Sequence, residues 1–142
     1  MFSTSHLHPM LVHFPIALVM IGFLFELFYL FVRKDVCLTK MGYYLLIIGT
    51  LGALGAWLSG QLFTSDMAGS AEQIRETHEL LATITLGLLL ITSILRTVFL
   101  WKKIETPKLN QLAFALYGLA AIFVSITGFM GGTLVYNYMM PL

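Results

Sequence analysis

Long apolar segments separated by short polar ones dominate the pattern along the chain. The apolar segments cover approximately residues 10–32, 41–63, 80–101 and 111–131, and polar residues fill 33–40, 64–79 and 102–110. Each apolar segment is close to the ~20 residues that a helix needs to cross the hydrocarbon of a bilayer. Because the polar connections are short, consecutive helices should pack antiparallel. The pattern predicts an all-α membrane protein in which residues 1–142 form one four-helix up-down bundle.

The amino-acid composition supports the same class of protein. Of the 142 residues, 58% are hydrophobic and 11% are charged, whereas a soluble domain has about 25% charged residues. The net charge is +1 and the basic residues are scattered. They do not make the dense basic surface that follows a phosphate backbone, so nucleic acid is excluded as a partner. The partner that the composition predicts is the lipid bilayer.

The basic residues predict an orientation, because lysine and arginine favour cytoplasmic loops. Seven of the eight lie in or beside the first and third polar segments, namely Arg33, Lys34, Lys40, Arg96, Lys102, Lys103 and Lys108. The second polar segment has Arg75 as its single basic residue and contains four acidic ones, Asp66, Glu72, Glu76 and Glu79. We therefore expect this segment and both termini to face outward, toward the periplasm or its equivalent. All four histidines, His6, His8, His13 and His78, fall on that side.

Small residues recur three and four positions apart on the second and fourth predicted helices. They are Gly49, Gly52, Ala53, Ala56, Ser59 and Gly60 on one, and Gly118, Ala121, Ser125, Gly128 and Gly132 on the other. Small residues at this spacing share one helix face and let a second helix backbone, or a flat ligand, approach closely. The sequence leaves both interpretations open.

Two histidines lie at the start of the first apolar segment. Pro9 suits the first position of a helix, which would place His8 near its N-cap and His13 about one turn inside. Pro15 cannot donate a backbone hydrogen bond and is expected to bend the helix beside His13. Five positions apart, the two imidazoles would lie about 140° apart around a regular helix and roughly 7 Å apart along it. They cannot both point at one small target from a regular helix.

His78 lies at the entrance of the third predicted helix, at nearly the same depth as His13. If their helix faces both point inward, the two imidazoles look at each other across the outer half of the bundle. Two histidines on facing helices, with small residues nearby, are how a helix bundle holds a b-type haem or a metal ion. The alternative is structural: His13 would bond a backbone carbonyl, and His78 would be solvated at the membrane interface.

Two charged residues lie within the apolar segments toward the opposite side. Glu26 on the first helix and Arg96 on the third should occupy the same leaflet, so an ion pair between them would satisfy both buried charges. A proton or ion route through Glu26 is the alternative, although no chain of acidic residues continues it. The sequence contains no nucleophile elbow, phosphate loop or dinucleotide glycine motif. A redox carrier is therefore a better expectation than a hydrolase or a transferase.

Three parts of the chain resemble a bacterial membrane family catalogued as domain of unknown function 2231. They are residues 8–18 (HPMLVHFPIAL), the lone His78 opening the third helix, and residues 131–136 (GGTLVY). The resemblance implies a four-helix layout in the bacterial inner membrane. Some members are joined to cytochrome-like domains, which implies a haem or redox role. One departure is Asn137, where the family's closing motif usually continues with a histidine.

These observations lead to a first hypothesis, a b-type haem near the outer face that transfers electrons within the membrane. His13 and His78 would be its axial ligands, His8 would support them or serve as an alternative ligand, and Gly60 and Gly128 would make room. The protein would act alone or as a subunit of a larger complex with a redox partner.

Two other hypotheses remain open at this stage. The first is a copper or other transition-metal site, because imidazole with thioether suits copper; its candidate ligands are His6, His8, Met10, Met139 and Met140. The second is a structural or assembly subunit without a cofactor. In that protein the glycine faces would bind partner chains, including further copies of the same chain.

Overall fold

The computed structural model describes residues 7–63, 69–104 and 106–138. They form four helices: α1 (Leu7–Phe31), α2 (Val36–Phe63), α3 (Ser70–Trp101) and α4 (Pro107–Asn137). All four are long and apolar enough to cross a membrane. Each helix packs against its two neighbours in the order α1, α2, α3, α4 and back to α1, with the most extensive packing between α1 and α2 and between α3 and α4. The predicted all-α membrane bundle is confirmed.

The helices are longer than the apolar segments that predicted them. The largest difference is at α3, which begins about ten residues earlier than expected, at Ser70. The polar part of this helix is stabilised along one side by Arg75, which forms ion pairs with Glu72 at 2.6 Å and with Glu79 at 2.5 Å. Charged pairs three and four positions apart favour helix formation. The prediction of a loop through residue 79 was therefore wrong for residues 70–79, because apolar length defines the membrane span and not the helix.

Local signals set three of the helix starts. The carboxylate of Asp35 accepts a hydrogen bond from the backbone N–H of Cys37 at 2.9 Å, which caps the first turn of α2. Gly69 precedes α3 with φ of 68°, a conformation that glycine adopts at little cost. Pro107 begins α4, where its missing N–H leaves no helical hydrogen bond unmade.

The core lies along the bundle axis, and glycine makes its close packing between α1 and α2 feasible. Val19, Leu46, Leu89 and Tyr117 are fully buried there. A Cβ atom on Gly49 would lie 2.9 Å from Val19 Cγ2, closer than real carbon contacts allow. The glycine face of α2 thus packs against α1, as the helix-packing interpretation expected.

Large apolar side chains are exposed around the outside of all four helices. Examples are Met10, Phe31, Leu62, Trp101 and Phe129, which are each at least 65% exposed. Such a surface suits lipid rather than water. We call the end of the bundle where α1 and α3 begin the histidine end, and the opposite end the ionic end.

The ionic end joins helices that face each other diagonally across the bundle. Arg96 on α3 donates to Glu26 Oε1 on α1 at 2.5 Å, which confirms the predicted pair. Glu26 is 5% exposed. Tyr117 on α4 donates its hydroxyl to the carbonyl of Gly42 on α2 at 3.2 Å. Both diagonals are therefore hydrogen-bonded at this end.

Candidate functional site

The histidine end contains a cavity of about 360 Å³ between the α1–α2 and α3–α4 hairpins. Its walls are mostly alanine, glycine, valine and other apolar residues from all four helices, and its few polar side chains include His8, His13, Arg75, His78, Glu79 and Tyr136. Small-molecule sites in proteins typically measure about 300–1,000 Å³ and combine apolar walls with a few polar groups. The cavity has the size and lining of a ligand site.

His8 is positioned by α2. Its Nδ1 lies 3.0 Å from the carbonyl oxygen of Ala56 and 2.9 Å from Oγ of Ser59. Because the Ala56 carbonyl can only accept, Nδ1 carries the hydrogen in this contact. Gly60 makes the close approach feasible, since a Cβ atom on it would lie 3.0 Å from Cε1 of His8.

His78 is held in the same way by α4. Its Nδ1 donates to the carbonyl oxygen of Thr127 at 3.1 Å. Gly131 faces the ring, and a Cβ atom there would lie 3.1 Å from Cε1 of His78. Thr127 is fixed in turn by a hydrogen bond of 3.1 Å between its hydroxyl and that of Thr85. Each of the two imidazoles is thus held by a neighbouring backbone carbonyl and a glycine.

The His8 and His78 rings meet across the bundle. Their centroids lie 6.4 Å apart, and their planes are nearly perpendicular, at 83°. With Nδ1–H given to a carbonyl in each ring, the neutral imidazole keeps an unprotonated Nε2 whose lone pair can bind a metal. This is the tautomer that metal-binding histidines usually adopt, with the other ring nitrogen donating to a backbone carbonyl.

His13 occupies a different position from the one that the sequence predicted. It lines the cavity but is exposed, and its Nδ1 donates to the carbonyl of Pro9 one turn earlier in α1 at 2.6 Å. The ring in contact with His78 is that of His8. The expected facing of His13 and His78 is therefore corrected to His8 and His78. The reason is rotation: with about 140° between the two positions, only one of them faces the bundle axis.

The other predicted site residues are distributed as follows. Gly60 lies against His8, while Gly128 lines the cavity and also allows α1 to approach, since its Cβ atom would lie 2.7 Å from Ile16 Cδ1. Met10 is 65% exposed and does not line the cavity. His6, Met139 and Met140 lie outside the described residues. Within residues 7–63, 69–104 and 106–138, no cluster of three or more His, Cys, Asp or Glu side chains is placed to bind a metal ion.

Sequence reasoning did not select several residues that shape the site, namely Trp57, Arg75, Thr127 and Gly131. Ala56 and Ser59 were named only as members of the small-residue face of the second helix, not as partners of a histidine. Gly131 had a signal, because it opens the GGTLVY motif, but it was interpreted as part of a helix end. The carbonyls of Ala56 and Thr127 had none, because every residue has a carbonyl and only the fold decides which one meets a histidine.

Comparison with known proteins identifies the family and nothing more specific. The family model described as "Predicted membrane protein (DUF2231)" matches residues 4–141. No curated protein and no solved structure matches the chain. Because the match covers nearly the whole sequence, the chain belongs to the DUF2231 family of membrane proteins.

Proposed function

We propose that the cavity at the histidine end binds a b-type haem that His8 and His78 would hold, and that the protein transfers electrons. The observation that carries this proposal is the matched environment of the two imidazoles. Both donate Nδ1–H to a backbone carbonyl, and their rings face each other across an apolar cavity with centroids 6.4 Å apart. At this separation the two imidazoles would be able to hold one metal ion, because imidazole nitrogens bind metal ions at about 2.0–2.1 Å.

The residues around the two histidines fit a haem better than a bare metal ion. Three or four protein ligands are usual for a protein-bound transition-metal ion such as zinc, whereas haem iron takes four of its ligands from the porphyrin and needs only two from the protein. Gly60 and Gly131 leave room beside the rings, and most of the cavity wall is apolar. A bound haem would supply one-electron exchange between ferric and ferrous iron. The protein would hold it, orient it and keep its surroundings dry.

The assignment changes one ligand from the sequence-based hypothesis. His13 was expected to pair with His78, and the proposal gives that role to His8 because the His8 ring contacts His78. From the distribution of basic residues, we place the histidine end on the periplasmic side of the bacterial inner membrane. Electrons would pass there to a redox partner or within a larger membrane complex.

The test is an optical spectrum of the protein purified in detergent after expression with ample haem. We expect a Soret band and a sharp α-band on reduction. His8→Ala and His78→Ala should each abolish the low-spin α-band, while His13→Ala should keep it. An absent Soret band in the unaltered protein would overturn the proposal, and loss of the α-band in His13→Ala but not in His8→Ala would return the ligand role to His13.

The same preparation separates the two other hypotheses. Elemental analysis that finds stoichiometric copper without iron would select the copper site. Neither metal, with unchanged assembly behaviour after the double change His8→Ala and His78→Ala, would select the structural subunit. Met10 lies on the exposed surface, whereas His8 lines the cavity. These two side chains are therefore not placed to bind one copper ion together.

A further inference from the structure

The exposed side chains of the cavity lining lie on two neighbouring helices, α1 and α4. Of the side chains that line the cavity, only His13 on α1 and Tyr136 on α4 are exposed, and Tyr136 is 84% exposed. Gly132 lies beside them, and a Cβ atom built there would meet nothing within 4 Å. In a membrane-spanning bundle, exposed side chains at this level face the lipid near the membrane interface. A molecule dissolved in the bilayer would therefore meet the cavity at these two residues.

Both sides of the cavity have a hydrogen bond between neighbouring helices of different hairpins. Trp57 on α2 donates its indole N–H to the hydroxyl of Thr83 on α3 at 3.0 Å. Between α1 and α4, Ser125 donates to the sulfur of Met20 at 3.2 Å, next to Val124 at the inner edge of the cavity. The sides differ in exposure: no described lining side chain of α2 or α3 is exposed, whereas His13 and Tyr136 are. We therefore take the surface between His13 and Tyr136 as the α1–α4 entrance.

The two exposed side chains at this entrance each offer one group for hydrogen bonding with a ligand. His13 gives Nδ1–H to its own helix, which leaves Nε2 as an acceptor. The Tyr136 hydroxyl makes no hydrogen bond with any part of the chain that the structure describes and is available as a donor. Around them the walls are apolar, including Val12 and Val135. The entrance thus combines one acceptor and one donor with an apolar surface.

Charge at the cavity does not favour an anionic lipid. The charged side chains that line it are Arg75 and Glu79, and they are bonded to each other at 2.5 Å. Arg75 also binds Glu72. Since the arginine is already matched by carboxylates, the ligand that fits is uncharged, largely apolar and equipped with a few oxygen atoms.

From these observations we infer that the α1–α4 entrance is a binding site for the ring of a lipid-soluble quinone, held by His13 and Tyr136. A quinone carbonyl accepts a hydrogen bond from the Tyr136 hydroxyl, and a quinol hydroxyl donates to Nε2 of His13. Both forms of the carrier are therefore recognised. The site goes beyond the haem proposal and does not depend on it, because it uses neither His8 nor His78. A ring bound there would lie beside any group held between those two histidines.

The two tryptophans of the chain allow a direct test. Trp57 lines the cavity, whereas Trp101 is 82% exposed at the ionic end. In the full-length Trp101→Phe protein, prepared in detergent without added haem, Trp57 is the sole tryptophan. Titration with decylubiquinone should quench its fluorescence saturably. Added His13→Phe or Tyr136→Phe should each weaken the apparent affinity by roughly 3–10-fold, the loss of one hydrogen bond, and His13→Gln should retain more affinity than His13→Phe.

Two controls make the outcome decisive. The Trp57→Phe protein keeps only Trp101 and reports quenching by quinone that merely partitions into detergent. Tyr44→Phe removes another exposed tyrosine hydroxyl, at the ionic end, and should leave the affinity unchanged. Equal, non-saturating quenching in the two single-tryptophan proteins would overturn the inference, as would unchanged affinity in both His13→Phe and Tyr136→Phe. The titrations use protein whose absorption spectrum has no Soret band, so their outcome is independent of the haem proposal.

Discussion

The two ends of this bundle are connected in opposite ways. At the ionic end, hydrogen bonds run along both diagonals, from Arg96 to Glu26 and from Tyr117 to Gly42. At the histidine end, the hydrogen bonds of His8 and His78 stay within the α1–α2 and α3–α4 hairpins. The two hairpins are thus hydrogen-bonded along both diagonals at one end. At the other end a cavity lies between them, and the described link at its edge is the bond from Trp57 on α2 to Thr83 on α3.

The comparison shows how a small membrane bundle can combine cross-links between its helices with an internal cavity. Lipid provides no hydrophobic driving force between helices, so close packing and polar contacts have to hold them together. The diagonal hydrogen bonds lie at the ionic end, whereas at the histidine end Trp57 and Thr83 link the hairpins at the edge of the cavity. There, glycines and backbone carbonyls position two imidazoles and leave space between the hairpins.

The largest expected effect comes from breaking the ionic end. Glu26→Leu removes the carboxylate and leaves the Arg96 guanidinium buried without its partner. Removing one member of a buried ion pair costs roughly 3–5 kcal/mol, because the remaining charge is uncompensated. We expect a large drop in thermal stability in detergent, measured by circular dichroism.

The matched control for this change is the double variant Glu26→Leu with Arg96→Met. Replacing both members of a buried pair with apolar residues of similar size is often neutral or stabilising. The double variant should therefore recover most of the stability. If the single variant is as stable as the unaltered protein, the ionic end does not fasten the hairpins together.

An intermediate effect is expected at the histidine end from Gly131→Val. The new side chain would displace the His78 ring, because even a Cβ atom lies 3.1 Å from Cε1. Overpacking of this kind costs about 1–3 kcal/mol, and ligand binding should fall with it. Gly87→Val on α3 is the control, since nothing lies within 4 Å of a Cβ built there. Equal losses of haem absorbance in the two variants would contradict the role given to Gly131.

The smallest effects are expected from removing one hydroxyl group at each end of the bundle. Tyr117→Phe removes the hydrogen bond to Gly42 across a diagonal and should lower the free energy of unfolding by about 0.5–1.5 kcal/mol. Ser59→Ala should cost less, because His8 Nδ1 keeps the Ala56 carbonyl as an acceptor. Denaturant titrations of both variants would measure the difference, and a larger loss for Ser59→Ala would reverse the ranking of the two ends.

The lengths of the apolar segments and the two isolated charges predicted the architecture well. Four apolar segments of membrane-spanning length led to four helices, and the isolated charges Glu26 and Arg96 led to the ion pair that the structure contains. The helix ends were less accurate. Apolar length indicates where a helix leaves the hydrocarbon, but residues 70–79 stay helical beyond that point through ion pairs around Arg75.

The geometry around the candidate site followed only partly from the sequence. The sequence led us to expect a histidine of α1 opposite His78, and the structure brings His8, not His13, next to His78. Sequence spacing gives the angle between His8 and His13 on their helix, but not which of them faces the bundle axis. That choice depends on how α1 rotates when Gly49, Gly52 and Gly60 of α2 pack against it.

The sequence by itself therefore determined that this is a four-helix membrane protein with its histidines at one end and a buried ion pair toward the other, because span length, charge and helical period are local properties. Only the tertiary structure decided that His8 meets His78, that the carbonyls of Ala56 and Thr127 hold them, and that the exposed side chains of the cavity lining lie on α1 and α4. These features depend on the rotation and separation of whole helices, which the packing of all four together sets.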